Sequence, residues 1–152
     1  MSKTIKELLL GIKIKEVKGD FDCSGNKLTS LEGSPEIVKG DFDCSGNDLT
    51  SLKGSSEIVE GDFDCSYNRL TSLKGAPKTV GGHFDCYRNE LTSLNGSPEI
   101  VGVDFDCSYN ELASLKGSPK EVGGNFNCTN NKANFTADDV RKVCDVKGNI
   151  HV

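Results

Sequence analysis

The chain has 152 residues, 35% of them hydrophobic, and a formal net charge of −5. Its pI near 5.0 argues against binding nucleic acid or an acidic membrane surface. The length suits one domain, and the low apolar content suits a thin core rather than a thick globular one.

The N-terminal stretch from Met1 to Val17 contains Leu8-Leu9-Leu10 but is interrupted throughout by Lys and Glu. It reads as neither a secretory signal nor a spanning segment. Residues 1–18 are expected to cap the domain, with a helix over Lys3 to Leu10. Seven cysteines without an export signal suggest a reducing cytosol, and hence a cytoplasmic protein.

Residues 19–135 hold six copies of one phrase. Phe21, Phe42, Phe63, Phe84, Phe105 and Phe126 recur every 21 residues. Cys23, Cys44, Cys65, Cys86, Cys107 and Cys128 keep the same step, as do the asparagines from Asn26 to Asn131. A fixed period of this size marks a solenoid, whose units bury their apolar faces only by stacking on each other. In the second copy, residues 41–45 alternate polar and apolar, which predicts a half-buried strand. Phe42 and Cys44 point inward, and Asp41, Asp43 and Ser45 point out. Asn47 ends the strand, and Leu49 and Leu52 turn back into the core. Gly54 and steps such as Ser34-Pro35 and Ala76-Pro77 cannot continue a helix, so the return side is extended or turn-like. Val38, Val59, Val80, Val101 and Val122 close it.

The spacing Phe42-x-Cys44-x-x-Asn47-x-Leu49-x-x-Leu52 resembles the leucine-rich repeat, with Phe and Cys in its first two core slots. The short, helix-free return side looks like the bacterial subclass used by some secreted effectors. The Gly-Asp-Phe-Asp-Cys-Ser wording is also similar to repeat proteins of tailed phages and bacterial genomes. The resemblance covers roughly residues 17–135. It implies a β-rich solenoid with a parallel sheet on one face, short helical caps, and an asparagine ladder that bonds the backbone of adjacent turns.

The C-terminal segment departs from the phrase. Thr136-Ala137-Asp138-Asp139 reads as a capping box opening a helix over 137–144, with Val140, Val143 and Cys144 on one face. After it, Val146 to Val152 copies the strand phrase and predicts a seventh strand. At about 4.8 Å per layer the strand stack is expected to be roughly 29 Å tall.

Three sets of residues are candidates for chemistry. The cysteines lie one layer apart, too far for a disulfide, and neither Cys nor His falls at zinc-ligand spacing. They read as small buried hydrophobes. The acidic residues form two outward columns: Asp20, Asp41, Asp62 and Asp104, then Asp22, Asp43, Asp64, Asp85 and Asp106. Like charges about 5 Å apart repel by roughly 0.8 kcal/mol in water and about 3 kcal/mol at an effective dielectric of 20. Nothing in a solenoid core demands these charges, because Ser, Thr or Asn serves equally on a solvated strand. They read either as a duplicated, solvent-screened residue or as a surface for a basic partner. The calcium-binding Gly-Gly-x-Gly-x-Asp wording is absent.

The third set is what breaks the repeat. The residue before the ladder Asn is Gly25 and Gly46, then Tyr67, Arg88, Tyr109 and Asn130. His83 replaces a first-column Asp, Tyr87 replaces a Ser, and Arg69, Glu90 and Glu111 follow two residues beyond the rim column. Tyr and Arg are enriched in binding hot spots, so this patch is the expected seat of specificity.

These readings converge on a non-enzymatic protein-interaction module without a cofactor, with a basic protein as its partner and no direct nucleic-acid or membrane binding. The resemblance implies a phage or bacterial accessory protein that binds, and in some cases inhibits, a host protein. An acidic decoy that mimics nucleic acid is the alternative, and a surface carbohydrate binder the next. His83 and His151, the only histidines, have no nucleophile or carboxylate arranged for catalysis.

Overall fold

Because Phe and Cys alternate with Asp and Ser, each repeat can offer one apolar edge inward and hydrogen-bond its backbone only to the turn above and below. The computed structural model of the protein describes residues 3–152 and shows this arrangement as a parallel β-solenoid of 21-residue turns with almost no helix. Its front sheet has seven parallel strands: Phe21–Asp22, Phe42–Asp43, Phe63–Asp64, Phe84–Asp85, Phe105–Asp106, Phe126–Asn127 and Ile150–His151. Register is strict, with Phe42 opposite Phe21 and Phe63. Ladder bonds continue past the short strands, from Cys44 N–H to Asp64 O at 2.8 Å and from Gly46 N–H to Ser66 O at 3.0 Å. The alternating stretch is therefore paired along its length.

The extended return segments pair as well. Glu16–Val17, Ile37–Val38, Ile58–Val59, Thr79–Val80, Ile100–Val101, Glu121–Val122 and Asp145–Val146 form a second seven-stranded parallel sheet at the back. One Phe, one Cys, two Leu and one Val from each central turn are fully or almost fully buried between the sheets. Neighbouring phenylalanine rings lie 5.1 to 5.5 Å apart from Phe21 to Phe126. Gly75 shows how tightly the arcs stack: its φ is +96°, and a Cβ there would meet Leu52 backbone at 2.6 Å.

The caps differ in extent from the sequence reading. Lys3–Thr4 pairs in parallel with Leu28–Ser30, so only Ile5–Leu8 forms the first helix, α1. Pairing with a strand holds 3–4 extended, and Leu10, at φ 51°, turns the chain away beyond the helix. Met1 and Ser2 of the expected cap lie outside the described residues. At the other end Thr136 and Asp139 make the predicted capping box, opening α2 over Ala137–Arg141. This helix is shorter than 137–144. Val140 and Cys144 are buried, but Val143 is 44% exposed because the chain has already left the helix at Lys142. The last turn spans 24 residues, pairing Ile150 with Phe126 and Asp145 with Glu121.

Candidate partner-binding surface

The position before each ladder Asn is fixed by that Asn. In turn three, the Asn68 amide donates to the carbonyls of Cys44, Cys65 and Ser66 at 3.0 to 3.2 Å. Its Oδ1 accepts the Leu49 N–H at 3.0 Å. Asn47, Asn89 and Asn110 repeat this pattern, each stitching its own turn to the one before. Turning the amide inward forces the preceding residue into the left-handed region. Gly25 and Gly46 sit there at φ 64° and 62°, and Tyr67, Arg88, Tyr109 and Asn130 at 52° to 55°. Gly adopts this conformation freely and Asn tolerates it, whereas a bulky side chain is strained by about 1–2 kcal/mol.

The three strained residues meet around Tyr87. Its ring packs edge-on against Tyr67 and Tyr109, with centroids 5.2 Å apart in both pairs. The Arg88 guanidinium lies 5.7, 5.6 and 5.5 Å from the centroids of Tyr67, Tyr87 and Tyr109, and its Nε donates to the Tyr87 hydroxyl at 3.1 Å. Tyr67 is 53% and Tyr109 46% exposed, and Arg88 is exposed. Residues from three turns thus form one open aromatic cluster around a cation. Arg69, Glu90 and Glu111 are exposed at the same rim, but no ring contact or ion pair joins them to it.

Beside the cluster run the Asp columns, and both columns have structural duties as hydrogen-bond acceptors that the sequence reading did not name. In the first, Asp20, Asp41, Asp62 and Asp104 each accept, through Oδ1, the backbone N–H 21 residues on, at 2.6 to 2.9 Å. In the second, Asp22, Asp43, Asp64, Asp85 and Asp106 accept the N–H two residues on, at 2.8 to 2.9 Å. These bonds require an oxygen acceptor, and a neutral one suffices. Asn125 Oδ1 accepts from Asn149 N–H at 2.8 Å, and Asn127 Oδ1 from Thr129 N–H at 3.2 Å. The fold therefore explains the side-chain shape in each column and leaves its negative charge unexplained.

Electrostatics vary along the second column. Hydrogen bonds from the Ser24 side chain and backbone lower the pKa of exposed Asp22. Burial raises Asp64 and carries Asp85 to about 6, with Asp64 and Asp106 adding to the Asp85 shift and the Tyr87 N–H and His83 opposing it. His83 is exposed; its backbone N–H donates to Asp62 and its Nδ1 lies 3.5 Å from Asp104 Oδ2. A shallow depression of about 320 Å³ lies over turns one to three, lined by Asp20, Asp22, Asp41, Asp43, Asp62 and Asp64.

All seven cysteines are free and buried. Burial raises their thiols, to about 12 at Cys23 and to about 11 at Cys128 and Cys144. The Cys44, Cys65 and Cys86 thiols also donate weakly to the Asp carbonyl of the next turn at 3.2 to 3.3 Å. Among the described residues no group of three or more His, Cys, Asp or Glu is arranged to hold a metal ion. No helix among them is long and apolar enough to cross a membrane.

Sequence reasoning named Tyr67, Tyr87, Arg88 and Tyr109 but missed their contact around one ring and the strain beneath three of them. Gly25 and Gly46 in the same column were the available signal. It also missed the Asp acceptor roles, signalled by Asn125 and Asn127. No protein-family model, curated protein or solved structure matches the chain.

Proposed function

We propose that the protein is a non-enzymatic interaction module of the leucine-rich-repeat kind that binds a basic protein surface across its front sheet. The Tyr67, Tyr87, Arg88 and Tyr109 cluster supplies specificity, and the Asp columns supply attraction. The observation that carries this reading is the left-handed backbone under Tyr67, Arg88 and Tyr109, where Gly25 and Gly46 meet the same demand without strain. Strain retained at an exposed position calls for a reason outside the fold. A rigid, preformed sheet lowers the ordering cost of binding, and charged columns accelerate encounter with an oppositely charged surface. The resemblance in the repeat wording supports a phage or bacterial accessory role, acting on a host protein in the host cytoplasm.

A pull-down from bacterial lysate tests the reading. The bait should be compared with a variant carrying the wording of the plain turns: Tyr67→Gly, Tyr87→Ser, Arg88→Gly and Tyr109→Gly. A basic protein retained by the natural chain and lost by the variant is expected. Equal retention by both, or no retained protein, would sink the proposal.

Charge density favours one second reading, a decoy for a nucleic-acid-binding protein. Two carboxylates per layer of about 4.8 Å give one charge per roughly 2.4 Å, against one per about 1.7 Å along duplex DNA. Competition by duplex DNA for the captured protein separates the two readings.

A further inference from the structure

Arg88 is held at its middle and free at its tip. Its Nε donates to Tyr87, and three rings surround the guanidinium. Among the described residues no further hydrogen bond engages it, so both terminal nitrogens remain available. Among the described residues no ion pair engages it either, although the acidic column lies alongside. A guanidinium so oriented presents a planar fork of donors that matches two oxygens in one plane.

We propose that Arg88 is the receptor for a single carboxylate of the partner, so that the surface docking on the front sheet is basic overall but carries one Asp or Glu opposite Arg88. The inference rests on the front sheet being the partner-binding face. Charge decides between a carboxylate and a phosphate. Arg88 brings one positive charge, which neutralises a carboxylate but leaves a phosphate dianion with charge uncompensated beside the column of Asp64, Asp85 and Asp106, and a dianion costs more to strip of water. A carboxylate still gains both parallel bonds to the fork. Lysines around it then meet the Asp columns, so the site reads a charge pattern rather than net charge.

Lysine-rich synthetic peptides, acetylated and amidated at their ends, test this against the isotope-labelled protein. One peptide carries a central Glu, a second Gln, and a third phosphoserine. Binding is followed through the Arg88 Nε–H resonance and the front-sheet amides. The Glu peptide should bind about tenfold more tightly than the Gln peptide, despite its lower positive charge. Arg88→Gln should erase that preference, with an otherwise unchanged amide spectrum confirming its fold. Asp43→Asn with Asp64→Asn should weaken both peptides equally and leave the preference intact. Equal binding of the Glu and Gln peptides, weakened by the Asp changes, overturns the Arg88 assignment alone. Tighter binding of the phosphoserine peptide overturns the choice of carboxylate. Absence of any front-sheet response to the peptides overturns the assignment and the proposed binding face together.

Discussion

At residues 25 and 46 glycine holds the left-handed backbone, while at 67, 88 and 109 the same backbone is held by Tyr, Arg and Tyr. The core beneath is the same: Phe42, Cys44, Leu49 and Leu52 in turn two are buried like Phe84, Cys86, Leu91 and Leu94 in turn four. Turns one and two therefore show what the solenoid itself requires, and turns three to five show what has been added. At this position the added residues combine exposure with a backbone strain that Gly25 and Gly46 avoid. The same logic separates shape from charge in the Asp columns, where Asn125 and Asn127 do the work of Asp without the charge.

Adjacent positions should break this comparison most visibly. Asn68→Ala orphans the buried Leu49 N–H and strips one of two amide donors from each of the Cys44 and Cys65 carbonyls, which keep Asn47 and Asn89, and should cost about 3 kcal/mol in chemical denaturation. Tyr67→Gly, one residue earlier, should leave stability unchanged or raise it by less than about 1 kcal/mol. A similar loss at both positions would mean that the rim residue is structural.

Binding should show the reverse ranking. Tyr67→Ala, Arg88→Ala and Tyr109→Ala should each speed dissociation of the partner, at about 1–3 kcal/mol apiece. Arg69→Ala, outside the cluster, should change binding by less than about 0.5 kcal/mol in the same surface-binding assay. An equal effect of Arg69 would spread the site along the rim and dissolve the special status of the three-ring contact.

The acidic column sharpens the comparison through pH. Asp85 lies at about 6 in the folded chain, above its unfolded value near 4, so folding disfavours its charged form. The resulting penalty grows as pH rises through 6. Stability should fall by about 1 kcal/mol between pH 5 and 7, and Asp85→Asn should flatten that slope. Asp22, Asp139 and Glu99 are shifted downward, so their contributions are lost only on acidification below this window. Affinity for a basic partner should move oppositely and rise from pH 5 to 7, because such a partner favours the ionised form. A flat stability profile would place Asp85 in solvent.

The smallest folding effect is expected from Asp43→Asn, within about 0.5 kcal/mol by thermal melting, since Asn retains the acceptor for Ser45 N–H. Combined with Asp64→Asn and Asp85→Asn, it should slow association with the partner and reduce its salt dependence while sparing dissociation. Unchanged association at low salt would mean that the columns do not steer the encounter.

Much of the fold was legible in the sequence because a strict period leaves few ways to bury Phe42, Cys44, Leu49, Leu52 and Val38 together. The second sheet was less so. Ile58 and Val59 in turn three give no alternation long enough to announce a strand, and neighbouring return arcs supply the pairing. Val143 misled because helical spacing groups it with Val140, while the helix ends before reaching it. For the candidate site, composition revealed which residues were unusual. Their meeting at Tyr87 depends on side-chain directions across three turns, which a one-dimensional pattern does not carry.

The 24-residue last turn has a consequence for how such a chain can vary in length. Its three extra residues enter between Phe126–Asn127 and Asp145–Val146, in the arc that carries α2, and both sheets resume their ladders beyond it. Strand spacing is thus insulated from arc length. An arc can lengthen, acquire a helix or accept foreign sequence while the front sheet keeps its spacing, so the scaffold separates the ruler from what is attached to it.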